Sequence, residues 1–211
     1  MEIKMNEKKG LQKRSIITKN KILDTAKALF CEKGFYNVTT NEIAKKADIA
    51  IGTLYHHFDD RDAILCELLN RHNEYFKTIF ESGGPTSGEA IKELKENPRK
   101  WIEGLIKTLI SLHENDLPFV KELNALYYNH TEVRKQKDEH TLTFQRQTYE
   151  FLLYYKDDMK TKDLEALSIV IYGFITSLID QAVLYPCPIE KERYLETGVK
   201  ALVGIIEELF R

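Results

Sequence analysis

The chain has 211 residues, 43% of them apolar and 30% charged, with a formal net charge of −2. That size and apolar share suit one large domain or a small domain fused to a medium one, and exclude a disordered or low-complexity chain. Three scattered cysteines, Cys31, Cys66 and Cys187, show neither CxxC nor Cys/His spacing, which excludes a disulfide scaffold and a zinc ligand set and leaves free thiols.

In chain order, residues 1–15 are polar and basic and read as a flexible arm. Ile22, Leu23, Ala26, Leu29 and Phe30 follow at helical spacing, and Gly34 suits the left-handed position that ends such a helix. Thr39 to Glu42 form a capping box, Thr39 as N-cap and Glu42 at N3, which opens a short helix to about Ala47. A second short helix runs from about Ile51 to His57, with Asp48 in the turn between them. Asp60 caps a long amphipathic helix bearing Ile64, Leu65, Leu68, Leu69, Tyr75, Phe76, Ile79 and Phe80 on one face. Residues 81–88, ESGGPTSG, read as a loop.

Asn97-Pro98 is an N-cap followed by proline at N1 and opens a helix to about Asn115. Asp116 and Pro118 mark the next start, and Thr131 to Tyr155 carries an apolar stripe. Residues 163–185 are apolar almost all round and read as a buried helix, whose uncharged core of fourteen residues, Ala166 to Ile179, is shorter than the ~20 that span a bilayer. The last helix, 190–210, places Leu195, Val199, Leu202, Ile206 and Leu209 on one stripe. The prediction is an all-α fold of about nine helices, with no alternating strand pattern. The N-terminus lacks the apolar region of a signal peptide, so the expectation is a cytoplasmic protein without a membrane segment.

Charge is unevenly spread. Residues 1–61 hold twelve Lys/Arg against eight Asp/Glu, and the remainder nineteen against twenty-five. A basic segment on an acidic body points to an anionic partner. Two short helices joined by a tight turn form a helix-turn-helix layout over 39–58, in which Ala44 permits close crossing and Ala47, Ile49, Leu54 and Phe58 turn inward. Thr53, Tyr55 and His56 then face outward on a helix short enough for a major groove.

Residues 16–76 resemble the N-terminal domain of the tetracycline-repressor (TetR) family of bacterial transcription regulators. The resemblance rests on Ile22-Leu23-x-x-Ala26-x-x-Leu29-Phe30, Gly34-Phe35, Thr39-Thr40-x-Glu42-Ile43-Ala44, Gly52-Thr53-Leu54-Tyr55-His56-His57-Phe58 and Arg61-Asp62-x-Ile64-Leu65. It implies a three-helix DNA-binding domain over 16–76 and a helical effector-binding and dimerisation domain over 77–211. Thr40, Ala50, Ile51 and Thr53 are the implied groove contacts; Tyr55, His56, Arg61 and Lys19 are the implied phosphate contacts. Three positions depart from the family pattern: Asp48 where glycine is frequent, Ala50 where serine is frequent, and Ile51 where a polar residue is frequent.

The resemblance further implies a homodimer on a palindromic operator in duplex DNA, with Leu178, Leu195, Val199, Leu202 and Ile206 as candidate interface. Trp101, Leu105, Tyr127, Phe144, Phe151 and Tyr172 are candidate walls for a small apolar or aromatic effector. The helix from Arg61 is expected to be the sole covalent link along which an effector tilts the DNA-binding unit. His113, His130 and His140 lack metal spacing, no nucleophile–base pair stands out, and no cofactor is expected. The competing reading is an all-α small-molecule-binding protein or enzyme keeping a vestigial helix-turn-helix.

Overall fold

A computed structural model describes the backbone of residues 2–81, 92–94, 96–157, 159–161 and 163–210, and the side chains of these between 12 and 208 other than 78–81. The expected loop at 82–88 and the side chains of Ile79, Phe80 and Leu209 lie outside the described residues. Among the described residues there are nine α-helices of seven residues or more and no strand. They are α1 (Glu2–Lys33), α2 (Thr40–Lys46), α3 (Ile51–His57), α4 (Arg61–Glu81), α5 (Pro98–Asn115), α6 (Leu117–Leu126), α7 (Thr131–Tyr154), α8 (Leu164–Val183) and α9 (Lys191–Phe210). The stretch expected to be a flexible arm forms the opening turns of α1.

Helix starts follow local chemistry. Thr39 Oγ1 accepts from Glu42 N at 3.2 Å, and the Glu42 carboxylate accepts the Thr39 N–H in return, closing the capping box. Asp60 Oδ1 accepts from Ala63 N at 2.7 Å, Asn97 Oδ1 from Lys100 N at 3.1 Å and Asp163 Oδ1 from Ala166 N at 3.1 Å. Gly34 ends α1 at φ 81°, its N–H bonded to Phe30 O at 2.9 Å.

The chain divides into two compact units: residues 1–72 with 122–133, and residues 73–121 with 134–211. The chain therefore passes between units at three places, 72/73, 121/122 and 133/134, so α4 is not the sole covalent link. The reason is tertiary: the segment from Glu122 to Val133 packs with the N-terminal helices through polar groups far apart in sequence.

Unit 1 is built on buried Ile22, Leu23, Ala26, Phe30, Ile43, Leu54, Ile64 and Leu65. A 3-10 turn at Phe35–Asn37 joins α1 to α2 and is held from two sides. Arg61, opening α4, donates from one Nη1 to the carbonyls of Phe35 (3.0 Å), Tyr36 (3.2 Å) and Val38 (2.8 Å), and its guanidinium carbon lies 4.1 Å from the Phe35 ring centroid. From the later segment, Glu122 Oε1 accepts from Phe35 N at 2.6 Å and Asn129 O from Tyr36 Oη at 2.9 Å. His130 is buried, and its Nδ1 accepts the Val133 N–H at 3.3 Å. In the neutral ring the proton then resides on Nε2, which donates to Asp62 Oδ1 at 2.8 Å.

In unit 2, α5 packs against α8 and α9, which also pack on each other. Its core holds Ile102, Ile106, Leu112, Leu152, Tyr155, Ile171, Leu178, Ile179, Val199 and Leu202. This corrects the candidate interface. Leu178, Val199 and Leu202 are at most 4% exposed within the unit, and Leu195 and Ile206 pack half-buried against the same core. The stripe that looked excessive on α9 is satisfied by the chain's own α5 and α8. The apolar surface left over is on α8, where Ile169 and Val170 are 51% and 58% exposed. The helix expected to be buried all round therefore is not. At 20 residues it is long and apolar enough, by length and composition only, to cross a membrane, yet little of it is buried inside the unit.

Candidate nucleic-acid interface

The turn between α2 and α3 is a Schellman arrangement with aspartate in the glycine position. Ile49 N bonds to Ala44 O at 3.1 Å and Asp48 N to Lys45 O at 3.2 Å. Asp48 adopts φ 50°, the one positive φ outside glycine among the described residues. A β-carbon in that conformation costs about 1 kcal/mol, which aspartate tolerates better than most residues. Ala50 then serves as N-cap of α3 with no side-chain hydrogen bond to offer.

Helix α3 is rooted by Leu54, fully buried, and by Phe58, 6% exposed. Its outward side carries Ala50, Ile51, Gly52, Tyr55 and His56, all exposed, with Thr53 half-buried. Thr40 Oγ1 and Tyr55 Oη are hydrogen-bonded at 3.0 Å, so one residue of α2 and one of α3 present a joined polar edge. The structure thus brings Thr40, Ala50, Ile51, Thr53, Tyr55 and His56 onto one helix pair. His57, on the inner side, is held below the ordinary histidine value by burial first and then by His56 and Lys19.

Two implied phosphate ligands are engaged within the chain. Lys19 Nζ pairs with Glu67 Oε1 at 2.7 Å and sits 5.7 Å from the Phe58 ring centroid. That pairing, ahead of the bond from Arg71, holds the Glu67 carboxyl below its usual range. Arg61 is turned onto the 3-10 turn, as described, and is a structural clamp in this arrangement rather than a free cation. Lys45, exposed in the last turn of α2, makes no ion pair among the described residues and is better placed to meet an anion. Its signal in the sequence was only a basic residue one turn before Asp48, indistinguishable from Lys46, which pairs with Glu32 at 3.2 Å.

Gly52 is the other residue not singled out beforehand. A β-carbon built there meets nothing within 4 Å. Glycine inside a helix costs about 1 kcal/mol relative to alanine, so no contact within this chain accounts for it. Close approach by an external backbone would.

The effector candidates do not form one site. Trp101 and Phe151 stack at 5.7 Å with planes 7° apart, and Leu105 packs beside them against the core. Phe144 lies against His140 at 4.5 Å, and Tyr172 against Thr141. Tyr127 falls in unit 1, its ring 4.9 Å from that of Tyr128, and is set apart from the other five. Among the described residues no group of three or more His, Cys, Asp or Glu is arranged to hold a metal ion.

Comparison with known proteins agrees with this geometry. Residues 22–68 match the family described as bacterial regulatory proteins, tetR family, and residues 77–208 match that described as tetracyclin repressor-like, C-terminal domain. The chain is 34% identical over 77 residues to the uncharacterized HTH-type transcriptional regulator YvkB of Bacillus subtilis, covering 36% of this chain and 39% of that protein. It thus spans about two fifths of that relative's length. It is 26% identical over 139 residues to IcaR of Staphylococcus aureus, a negative transcriptional regulator of a biofilm operon, covering 57% of this chain and 75% of that one. Salmonella enterica GusR shares the fold at a TM-score of 0.71 and 19% identity, over 91% of this chain and 96% of that chain. The two family matches follow one another along the chain, the first over the helix-turn-helix and the second over most of unit 2, and this chain belongs to the tetR family of bacterial regulatory proteins.

Proposed function

We propose that this chain is a DNA-binding transcription regulator, a homodimeric repressor released from a palindromic operator by a small-molecule effector. The observation that carries the reading is the exposed side of α3, where Ala50, Ile51, Gly52, Tyr55 and His56 face outward from a helix anchored by Leu54. Thr40, Ala50, Ile51 and Thr53 address the groove, with Ile51 suited to a thymine methyl. Tyr55, His56 and Lys45 address phosphates, which position the protein without reading sequence. Arg61 and Lys19 support the domain from within.

The exposed Ile169 and Val170 on α8 support pairing with a second copy, since an apolar helix face left open in one chain is satisfied by its two-fold mate. A two-fold dimer places two recognition helices on half-sites ~34–36 Å apart. The negative regulator among the relatives supports repression. Weakening operator binding a hundredfold requires an effector to prefer the unbound arrangement by about 2.8 kcal/mol.

A gel shift of the intact protein on duplex DNA across a salt series tests the reading. Binding should fall steeply with salt, and Lys45→Ala and Tyr55→Phe should each weaken operator and scrambled duplex alike. Absence of any salt-dependent binding would favour the all-α binding protein with a vestigial helix-turn-helix.

A further inference from the structure

Unit 2 carries a polar seam that its helices do not need. On α8, Ser168, Tyr172, Thr176 and Asp180 recur every fourth residue along an otherwise apolar helix. Ser168 and Thr176 satisfy their hydroxyls on their own helix, at Glu165 O (2.7 Å) and Tyr172 O (3.0 Å). Tyr172 and Asp180 instead address α7. Tyr172 Oη donates to Thr141 Oγ1 at 3.5 Å, and one turn earlier on α7 the charge of Lys137 acts on Asp180. His113 of α5 acts on Asp180 as well. Beside this seam runs a chain of rings: Phe76 to His113 at 5.1 Å, Phe76 to His140 at 6.2 Å, and His140 to Phe144 at 4.5 Å.

The seam is costly as architecture. Burial pushes the Lys137 ammonium below its usual value, against the pull of Asp180 and Asp138. Burial likewise pushes the Asp180 carboxyl up, against His113 and Lys137, and raises Tyr172 against its bond to Thr141. On the same face of α7, one turn beyond Phe144, Gln147 keeps its amide oxygen buried without a hydrogen-bond partner. Apolar residues of similar volume would pack as well or better, so ionisable groups here are explained by a ligand that complements them. Cationic and donor groups, Lys137, His113, Tyr172 and Thr141, outnumber the single carboxylate of Asp180 in the seam, which favours an anion.

We propose that unit 2 recognises a small carboxylic acid, its carboxylate seated at Lys137 and Tyr172 and its apolar or aromatic body among Phe76, His140 and Phe144. This deepens the effector reading above and rests on it. A ligand of this class restores to Lys137 the counter-charge that burial withholds, while its body replaces ring–ring contacts with others of the same kind.

The test uses the intact protein with benzoate, phenylacetate and octanoate, the three corresponding amides and the three corresponding amines. Calorimetric titration and thermal shift should show the acids binding at least tenfold tighter than the amide or amine of the same skeleton. Lys137→Met should lose that preference, Lys137→Arg should keep it, and Asp180→Asn should tighten acid binding by removing the opposing carboxylate. Should Lys137→Met fail to fold, the opposite signs expected for Lys137→Arg and Asp180→Asn decide the matter. Amines that match the acids, an acid preference that survives Lys137→Met, or a panel from which no acid binds would overturn the proposal. A parallel gel shift keeps the two readings apart. Acid binding without DNA binding upholds the site and removes the regulator; DNA binding without acid binding removes the site alone.

Discussion

The two units use polar groups in opposite ways. In unit 1 the polar groups of the described turns are tied off locally or by a clamp: the capping box at Thr39, the Schellman turn at Asp48, Arg61 on three carbonyls and His130 on Asp62. In unit 2 a line of ionisable groups crosses half-buried helices, while α8 exposes Ile169 and Val170. A unit that must present α3 in one fixed orientation gains from complete satisfaction, since unmade hydrogen bonds allow alternatives. A unit that must respond to a ligand and a second chain keeps surfaces that only those partners complete.

The largest effect expected from this contrast concerns α8 and α9. Leu202 is 1% exposed in the core of unit 2, so Leu202→Glu buries an unpaired charge and should unfold the unit, a loss of more than about 3 kcal/mol. Val170→Glu, on the open face, should leave helicity and the melting midpoint of the monomer intact and abolish dimerisation. Circular dichroism with light scattering separates the two; a folded Leu202→Glu monomer would return the interface to α9.

Arg61→Ala comes next. It strips three carbonyls of their donor and the Phe35 ring of its cation, so a loss of about 2–4 kcal/mol in urea unfolding is expected. Lys should rescue little, because an ammonium cannot reproduce the planar fork against the ring. If Arg61→Ala keeps full stability and loses only DNA affinity, the clamp opens on DNA and the phosphate role implied by the family resemblance is restored.

Two changes in the helix-turn-helix should separate stability from binding. Asp48→Gly relieves the φ 50° strain and should stabilise unit 1 by about 1 kcal/mol while slightly strengthening DNA binding, since a carboxylate near phosphates is removed. Gly52→Ala should also stabilise, by ~0.5–1 kcal/mol, yet weaken DNA binding as a methyl group meets the approaching backbone. Parallel gains in stability and affinity at Gly52 would show that no DNA backbone comes close there.

The smallest effect is on pH dependence. His57 has a folded-state value below the ordinary 6.5, so the unfolded chain takes up its proton first as pH falls. The contribution is fully present above that ordinary value and is lost as pH falls through it toward the lower folded one. Urea midpoints between pH 8 and 5 should decline less in His57→Gln than in the parent; identical slopes would place the acid sensitivity elsewhere.

The sequence alone determined what depends on neighbours within a few residues. Thr39 with Glu42, Asp60, Asn97 with Pro98, and Gly34 are caps whose partners lie one turn away, so helix starts and stops, the helix-turn-helix and the left-handed Asp48 were all legible. The 3.6-residue stripe on α9 was legible as an apolar face, but a stripe does not say whose surface it meets. Only the tertiary structure decided that Val199 and Leu202 meet the same chain's core while Ile169 and Val170 do not. It also decided that Arg61 holds residues 23 to 26 positions away, that Lys19 pairs with Glu67, and that Glu122 to Val133 belongs with the N-terminal helices. Hydrogen bonds and ion pairs between distant residues leave no periodic signal in the chain, because their partners are set by how helices pack rather than by the spacing along any one of them.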